Sequence, residues 1–253
     1  MKRRYKLLIG SLITGIILVI IFLITKDRKI YYLSLGDFLA TGKTSNGEYT
    51  KSYGDYINNY LLDKEKLEFY TKSYSNNEYR SIDILNDIKT NKKIKVNGKE
   101  ITIKNALIKA DMVTLSIGTN DLYYKFNSII NPEEKNIDDY YIYVDEVMKD
   151  INKLLYELRK NCKEQIIVIG FYNPFSNVSS SIANATEPVI EYANAKLENI
   201  VFKYDMTFVD IHDMFLANDN YLTPGLDIYP TKDGYYAISK AIIGLIDEKM
   251  LAK

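Results

Sequence analysis

The residues best suited to chemistry are acidic and amide side chains that directly follow predicted strands. Asp37 follows the first strand, Asn120 and Asp121 follow a later one, and Asp227 precedes the last predicted helix. Three carboxylates at strand ends could together hold Mg²⁺ or Ca²⁺. We expect no metal site and no cofactor, because each carboxylate has a structural explanation within the predicted fold. The chain has one histidine, His212, so any mechanism that needs an imidazole base must use it.

Alternating strand and helix patterns surround these residues. The predicted strands cover 30–35, 67–74, 111–117, 165–171 and 207–211, and the predicted helices cover 53–62, 82–88, 140–159, 187–204 and 233–250. Asn97 and Gly98, between two alternating runs, predict a tight hairpin turn. This order of elements predicts a three-layer α/β/α, flavodoxin-like domain with a central parallel sheet. Ligands of such sheets bind at the carboxyl ends of the strands.

Three segments at those strand ends resemble the sequence blocks of the SGNH (GDSL-type) hydrolase family. Residues 33–42 (LSLGDFLATG) resemble the block in which a nucleophilic serine follows Gly-Asp. Residues 110–121 (ADMVTLSIGTND) resemble the block that supplies an oxyanion-hole asparagine, with Gly118 and Asn120 at the matching positions. Residues 227–235 (DIYPTKDGY) resemble the block that supplies the acid and the base of a catalytic triad. The resemblance implies the SGNH fold and, for the family, ester hydrolysis.

The departures from this pattern fall on the reacting positions. Phe38 stands where the family has its serine, and a phenyl ring has no lone pair with which to attack a carbonyl. Tyr229 stands where the family has its histidine, and a phenol with a pKa of about 10 cannot act as a base near pH 7. By resemblance, Asn76 stands where the family has an oxyanion-hole glycine. Asp227 and Asn120 are retained. We predict that the family's esterase mechanism is not available to this chain.

Other side chains could in principle replace the missing groups. Ser34 lies inside the first strand, where alternation predicts burial. Thr41 follows the first block, but a β-branched alcohol without a nearby base is a poor nucleophile. His212 follows the last predicted strand and could reach the cleft, although a lone loop histidine is more often a surface residue. Asp37 is an inherited site position, and Asp121 is expected to stabilise the turn that carries it.

Aromatic residues would line the inherited cleft. We expect Phe38 and Tyr229 at its centre, with Tyr123 and Tyr124 nearby and Asn120 beside them. Aromatic faces next to polar groups suit stacking on sugar rings or packing against an acyl chain. The alternative is that Phe38 and Tyr229 fill the old cavity and leave a domain without a ligand.

The N-terminal sequence predicts a membrane anchor. Residues 7–24 form an uncharged apolar run, and we assign the transmembrane helix to 7–25. The basic residues within 1–6 predict a cytoplasmic tip and an extracytoplasmic domain over 30–253, by the positive-inside rule. A cleaved signal peptide would also have a basic start, but no small-x-small cleavage motif follows this run.

Composition excludes several classes of protein. The 33 basic and 33 acidic side chains cancel, which argues against a nucleic-acid partner. A hydrophobic content of 47% excludes a disordered chain, and the single cysteine excludes an intramolecular disulfide. We expect a single-pass membrane protein whose inactive outer domain binds an envelope glycan, a lipid or a protein partner. An esterase with a relocated catalytic group and an unrelated anchored structural protein are the alternatives.

Overall fold

The computed structural model describes residues 29–96, 98–126, 137–176, 178, 180–225 and 227–251. In chain order the strands are β1 (Ile30–Gly36), β2 (Leu67–Thr71), β3 (Lys93–Val96), β4 (Lys99–Thr102), β5 (Met112–Ser116), β6 (Gln165–Ile169) and β7 (Thr207–Val209). The α-helices are α1 (Phe38–Thr41), α2 (Tyr53–Asp63), α3 (Ser81–Thr90), α4 (Ile103–Lys109), α5 (Thr119–Phe126), α6 (Ile137–Asn161), α7 (Ser180–Lys203), α8 (His212–Leu216) and α9 (Lys232–Ile246). A 3₁₀ turn (Asp219–Tyr221) precedes α9, and a π-helical turn (Asp247–Leu251) follows it.

Five parallel strands form the central sheet in the order β2-β1-β5-β6-β7. With the hairpin left aside this is the flavodoxin-like order, in which β1 lies next to the switch point. The predicted parallel α/β fold is therefore confirmed. Strands β3 and β4 form the predicted antiparallel hairpin, with Val96 opposite Lys99. Its turn residue Asn97 lies outside the described residues.

Each face of the sheet is covered by helices because the strand side chains are apolar on both faces. One hydrophobic cluster joins the sheet to α3, α4, α6 and α7, and a second joins it to α1, α2, α8 and α9. Fully buried side chains such as Leu33 on one face and Tyr32 on the other show that both layers exclude water. The result is the expected three-layer arrangement.

Some element boundaries differ from the prediction. Helix α7 begins at Ser180, earlier than the predicted start at 187, and it contains Pro188 in its interior. Helices α4 and α5 were not predicted. The first is a seven-residue helix whose start is fixed by Thr102, which accepts a hydrogen bond from the Asn105 N–H.

No helix within the described ranges is long and apolar enough to cross a membrane. The predicted transmembrane helix at 7–25 and the basic tip at 1–6 lie outside those ranges.

Candidate functional site

The turn from β1 into α1 places Phe38 at the carboxyl edge of the sheet. Gly36 has φ +146°, and a Cβ on it would lie 2.1 Å from the Ser116 carbonyl oxygen, so only glycine lets β1 approach β5 here. Asp37 then caps α1, because its Oδ1 accepts the Leu39 N–H at 3.0 Å. This turn holds Phe38 at the first position of the helix.

Asp37 is fully buried, and burial is the main reason that its pKa rises to about 8. The hydrogen bond from Leu39 opposes this rise, whereas the nearby carboxylate of Asp121 adds to it. Its second oxygen, Oδ2, has no hydrogen-bond partner among the described residues. Asp37 is therefore mostly protonated at neutral pH. The side chain of Ser116 also opposes the rise in the pKa of Asp37.

The side chains of Phe38 and Tyr229 pack directly against each other. Their ring centroids are 5.0 Å apart at an interplanar angle of 82°, the edge-to-face arrangement that aromatic pairs favour. Phe38 is fully buried and Tyr229 is half-buried. The ammonium of Lys43 lies over the Tyr229 ring, 5.0 Å from its centroid. The rings thus occupy the space between α1 and the 227–230 segment.

Asp227 lies next to this ring pair and hydrogen-bonds its own segment. Its Oδ1 accepts the Tyr229 N–H at 3.1 Å, an Asx turn that fixes the backbone before α9. The segment is also held by Tyr172, whose hydroxyl donates to the Ile228 carbonyl oxygen, and by a bridge between Leu222 and Pro230. The carboxylate therefore orients the loop that carries Tyr229.

The amide of Asn120 holds the loop that follows β2. Its Nδ2 donates to the carbonyl oxygens of Asn77 at 2.7 Å and Tyr79 at 2.9 Å. A side-chain amide has two N–H hydrogens, so both are engaged. The backbone N–H of Asn76 donates to the Gly36 carbonyl at 3.1 Å, and its side chain is exposed. The side-chain amide of Asn120 and the backbone N–H of Asn76 therefore form hydrogen bonds with backbone carbonyls of the fold.

Gly118 and Asp121 also have structural roles. Gly118 has φ +103°, and a Cβ there would lie 2.9 Å from Ile151 Cδ1 and 3.0 Å from Phe171 Cζ. The Asp121 carboxylate accepts both the N–H and the hydroxyl of Ser81, at 3.1 and 2.9 Å, and so holds the start of α3. Burial raises the pKa of Asp121. Within the described chain, no three histidine, cysteine or acidic side chains lie close enough to hold a metal ion.

The alternative nucleophiles are engaged elsewhere. Ser34 is fully buried, and its hydroxyl donates to the Tyr53 hydroxyl at 3.3 Å. Thr41 Oγ1 lies 2.6 Å from Asn77 Oδ1 and 3.1 Å from the Phe38 carbonyl oxygen. Both hydroxyls therefore face structural hydrogen-bond partners.

His212 was expected at the surface, and this expectation is wrong. Only 6% of the residue is exposed, because His212 is the first residue of α8 and is buried on the same helix as Phe215. Its Nε2 lies 2.8 Å from Glu187 Oε1, while Glu187 Oε2 accepts a hydrogen bond from Asn173. Glu187 was not identified from the sequence, since it lies 25 positions before His212 and on another helix.

A group of polar and aromatic side chains lies next to the Phe38–Tyr229 ring pair, and the sequence analysis did not identify it as a group. We call it the cleft rim, and it consists of Thr41, Lys43, Tyr49, Asn77 and Glu78. Asn77 Nδ2 donates to the Tyr49 hydroxyl at 2.6 Å, and Lys43 Nζ lies 3.5 Å from Glu78 Oε1. The Tyr49 side chain is 63% exposed. The cleft rim therefore presents an aromatic face beside charged and amide groups.

The two other predicted aromatic residues of the cleft differ in exposure. Tyr124 is 76% exposed. Tyr123 is half-buried and lines an apolar cavity with about 360 Å³ of empty space, part of it open to solvent. The cavity is further lined by Thr119, Leu122, Phe171, Tyr172, Pro174, Phe175, Thr186, Ile190 and Ile228.

Residues 34–237 match the model of the GDSL-like lipase/acylhydrolase family. The chain belongs to this family. The match includes Phe38, Asn120 and Tyr229. No curated protein matches the sequence significantly.

Solved structures share the fold of this GDSL-family chain at low sequence identity. The lipase Lip_vut3 from a goat rumen metagenome is 17% identical, with a TM-score of 0.66, over 84% of this chain and 95% of that one. An extracellular lipase from Streptomyces rimosus is 15% identical, with a TM-score of 0.61, over 84% and 98%. The acetylxylan esterase Axe2 from Geobacillus stearothermophilus is 17% identical, with a TM-score of 0.60, over 88% and 96%. Variants of Axe2 described as catalytic mutants replace a serine or a histidine by alanine.

Proposed function

We propose that this GDSL-family domain does not hydrolyse esters and acts as a binding domain. The observation that carries the proposal is the packed pair of Phe38 and Tyr229, the two residues that the sequence resemblance aligns with the family's nucleophile and base. Members of a catalytic triad act as a unit, so losing either one removes most of the rate. The Axe2 variants called catalytic mutants change the same two residue types, serine and histidine, which supports this interpretation.

The engaged amide donors support the same proposal. An oxyanion hole needs free donors directed at the developing negative charge, and loss of one donor costs about 10²–10³ in rate. Both N–H groups of Asn120 are bound to backbone carbonyls, and the N–H of Asn76 is bound to Gly36. A tetrahedral intermediate would therefore lack these donors as well as the nucleophile.

We propose an envelope glycan as the ligand, bound at the cleft rim. The exposed face of Tyr49 suits stacking against a sugar ring, and the amide of Asn77 and the ammonium of Lys43 suit its hydroxyl groups. The hydroxyl of Tyr229 is the main cause of a raised pKa of Lys43, so the ammonium stays charged. We also propose that residues 7–25 anchor the protein, with the domain outside the cytoplasm.

The loss of catalysis is tested with the full-length protein purified in a mild detergent. We expect no turnover of p-nitrophenyl acetate above the rate of a heat-denatured sample. Turnover above that background, unchanged by Phe38→Ala, would show that another group performs the chemistry.

Ligand binding is tested by calorimetric titration of the same protein with a chitin tetrasaccharide. We expect Tyr49→Ala to weaken binding by about fivefold, since a lost stacking contact is worth about 1 kcal/mol. Tyr236→Ala is the matched control, because Tyr236 is also exposed but lies on α9. Equal affinities of the two variants would contradict a ligand site at the cleft rim.

A further inference from the structure

The chain enters the domain at the edge of the sheet opposite the cleft. Strand β1 begins at Ile30, whereas Phe38 and the cleft lie beyond its carboxyl end. Five residues, 25–29, separate the apolar run 7–24 from Ile30 in the sequence, and they can span at most about 17 Å. If the apolar run lies in a bilayer, the starting edge of the sheet must lie close to that bilayer.

Three helices end at this same edge. The chain after α2 reaches it, because the Ile30 N–H donates to the Lys66 carbonyl at 2.6 Å. The chain after α4 reaches it as well, since Asp111 accepts the Tyr31 N–H at 2.9 Å. The end of α7 is tied to it by Arg159, whose guanidinium donates to the backbone carbonyls of residues 164, 204 and 205.

Each of these helices exposes a large apolar side chain in its last turn. The residues are Leu62 on α2, Ile108 on α4 and Phe202 on α7, and they are 53%, 68% and 59% exposed. An exposed lysine follows each one by one or two positions; these are Lys64, Lys109 and Lys203. Apolar side chains with adjacent lysines are typical of surfaces that lie in the headgroup region of a bilayer.

Exposed carboxylates stand between these lysines, among them Asp63, Glu65 and Asp205. The charges therefore largely cancel, and attraction to anionic lipid would be weak. What distinguishes this end of the domain is its exposed apolar side chains at the place where the chain would leave the membrane.

We propose that this edge surface, formed by Leu62, Ile108, Phe202 and the three lysines, lies against the lipid bilayer. The inference rests on the proposed anchor at 7–25. It has a consequence for the ligand, because β1 carries the chain about 23 Å from Ile30 to the cleft. The cleft rim then opens away from the membrane, and its ligand arrives from the aqueous side. A wall glycan fits this orientation, and a lipid of the same bilayer does not.

The orientation is tested with full-length protein in vesicles of phosphatidylcholine and phosphatidylglycerol. Single cysteines are introduced by Ile108→Cys and Phe202→Cys in the edge surface, and each is labelled with a small fluorophore. Matched controls are Ile142→Cys and Tyr124→Cys, at exposed apolar positions outside that surface. The native Cys162 is buried and is replaced by alanine, or left in place if that change lowers stability.

Lipids carrying a spin label near the headgroup quench only fluorophores that touch the bilayer. We expect the labels at Ile108 and Phe202 to lose about half of their emission and the two control labels to lose almost none. Equal quenching at all four positions, or stronger quenching at Tyr124, would overturn the proposed orientation. Edge labels shielded from aqueous iodide but not quenched by lipid would mean that a protein covers this surface, which also overturns it.

Failure of the anchor itself is recognised separately by extraction with alkaline carbonate. Protein released by carbonate would contradict the proposed anchor. Protein that resists carbonate but shows no lipid quenching at the edge surface would contradict only the orientation.

Discussion

The buried acid Asp37 makes a quantitative prediction about stability. Its pKa is about 8 in the folded protein and 3.8 when unperturbed. Between these values the unfolded chain has lost the proton and the folded chain retains it. The folded state binds the extra proton, so the free energy of unfolding falls as pH rises through this window.

The magnitude follows from the two pKa values. Each unit of difference is worth about 1.4 kcal/mol, so the stability lost between about pH 4 and pH 8 reaches at most about 6 kcal/mol. The substitution Asp37→Asn keeps the shape of the protonated acid. Its Oδ1 can still accept the Leu39 N–H, and its amide carries no charge at any pH of the experiment.

We therefore expect Asp37→Asn and the unsubstituted protein to have similar free energies of unfolding near pH 4.5. At pH 8 we expect the free energy of unfolding of Asp37→Asn to be several kcal/mol higher. The measurement is urea denaturation of the full-length protein in detergent, followed by far-ultraviolet circular dichroism at four pH values. Asp63→Asn, at an exposed position, controls for the change in net charge. Parallel pH profiles for the unsubstituted protein and Asp37→Asn would refute the assignment of a neutral buried acid.

Three further predictions concern the cleft and its surroundings. Phe38→Ala should lower the free energy of unfolding by about 3–4 kcal/mol in urea denaturation, because the ring is fully buried; a loss below about 1 kcal/mol would contradict that burial. Phe38→Ser combined with Tyr229→His should give weak turnover of p-nitrophenyl acetate where neither single change does, and activity in one single variant would contradict the need for both groups. Glu187→Ala should cost about 1–3 kcal/mol in the same denaturation assay, because it leaves the buried His212 without its partner, and an unchanged midpoint would show that the contact contributes little.

The sequence predicts the fold well where local patterns determine it. The apolar runs that became β1, β5 and β6 are buried on both faces, so composition alone identified them as parallel strands. The seven-residue helix α4 was missed, since it is too short to show a helical period. The start of α7 was predicted too late, because the observed helix begins at Ser180 and continues through Pro188.

The candidate site was predictable only in its positions along the chain. Motifs placed Phe38, Asn120 and Tyr229 at strand ends, but which groups their atoms contact depends on residues far away in sequence. The amide of Asn120 reaches carbonyls more than 40 positions earlier, and Phe38 meets a ring from the other end of the domain. The burial of His212 was also not predicted, because the carboxylate that contacts it belongs to Glu187 on another helix.

The side chains of Phe38 and Tyr229 are physically matched to each other. A histidine at position 229 would place a polar ring against the buried face of Phe38, where its nitrogens would lose hydrogen bonds to water. A serine at position 38 would leave a void beside Tyr229, because the Phe38 ring is fully buried. The phenyl and phenol rings instead fill each other's space, with the hydroxyl of Tyr229 at the side of Lys43. Polar groups kept for chemistry usually cost stability, so the close packing of these two rings supports the proposal that the domain does not hydrolyse esters.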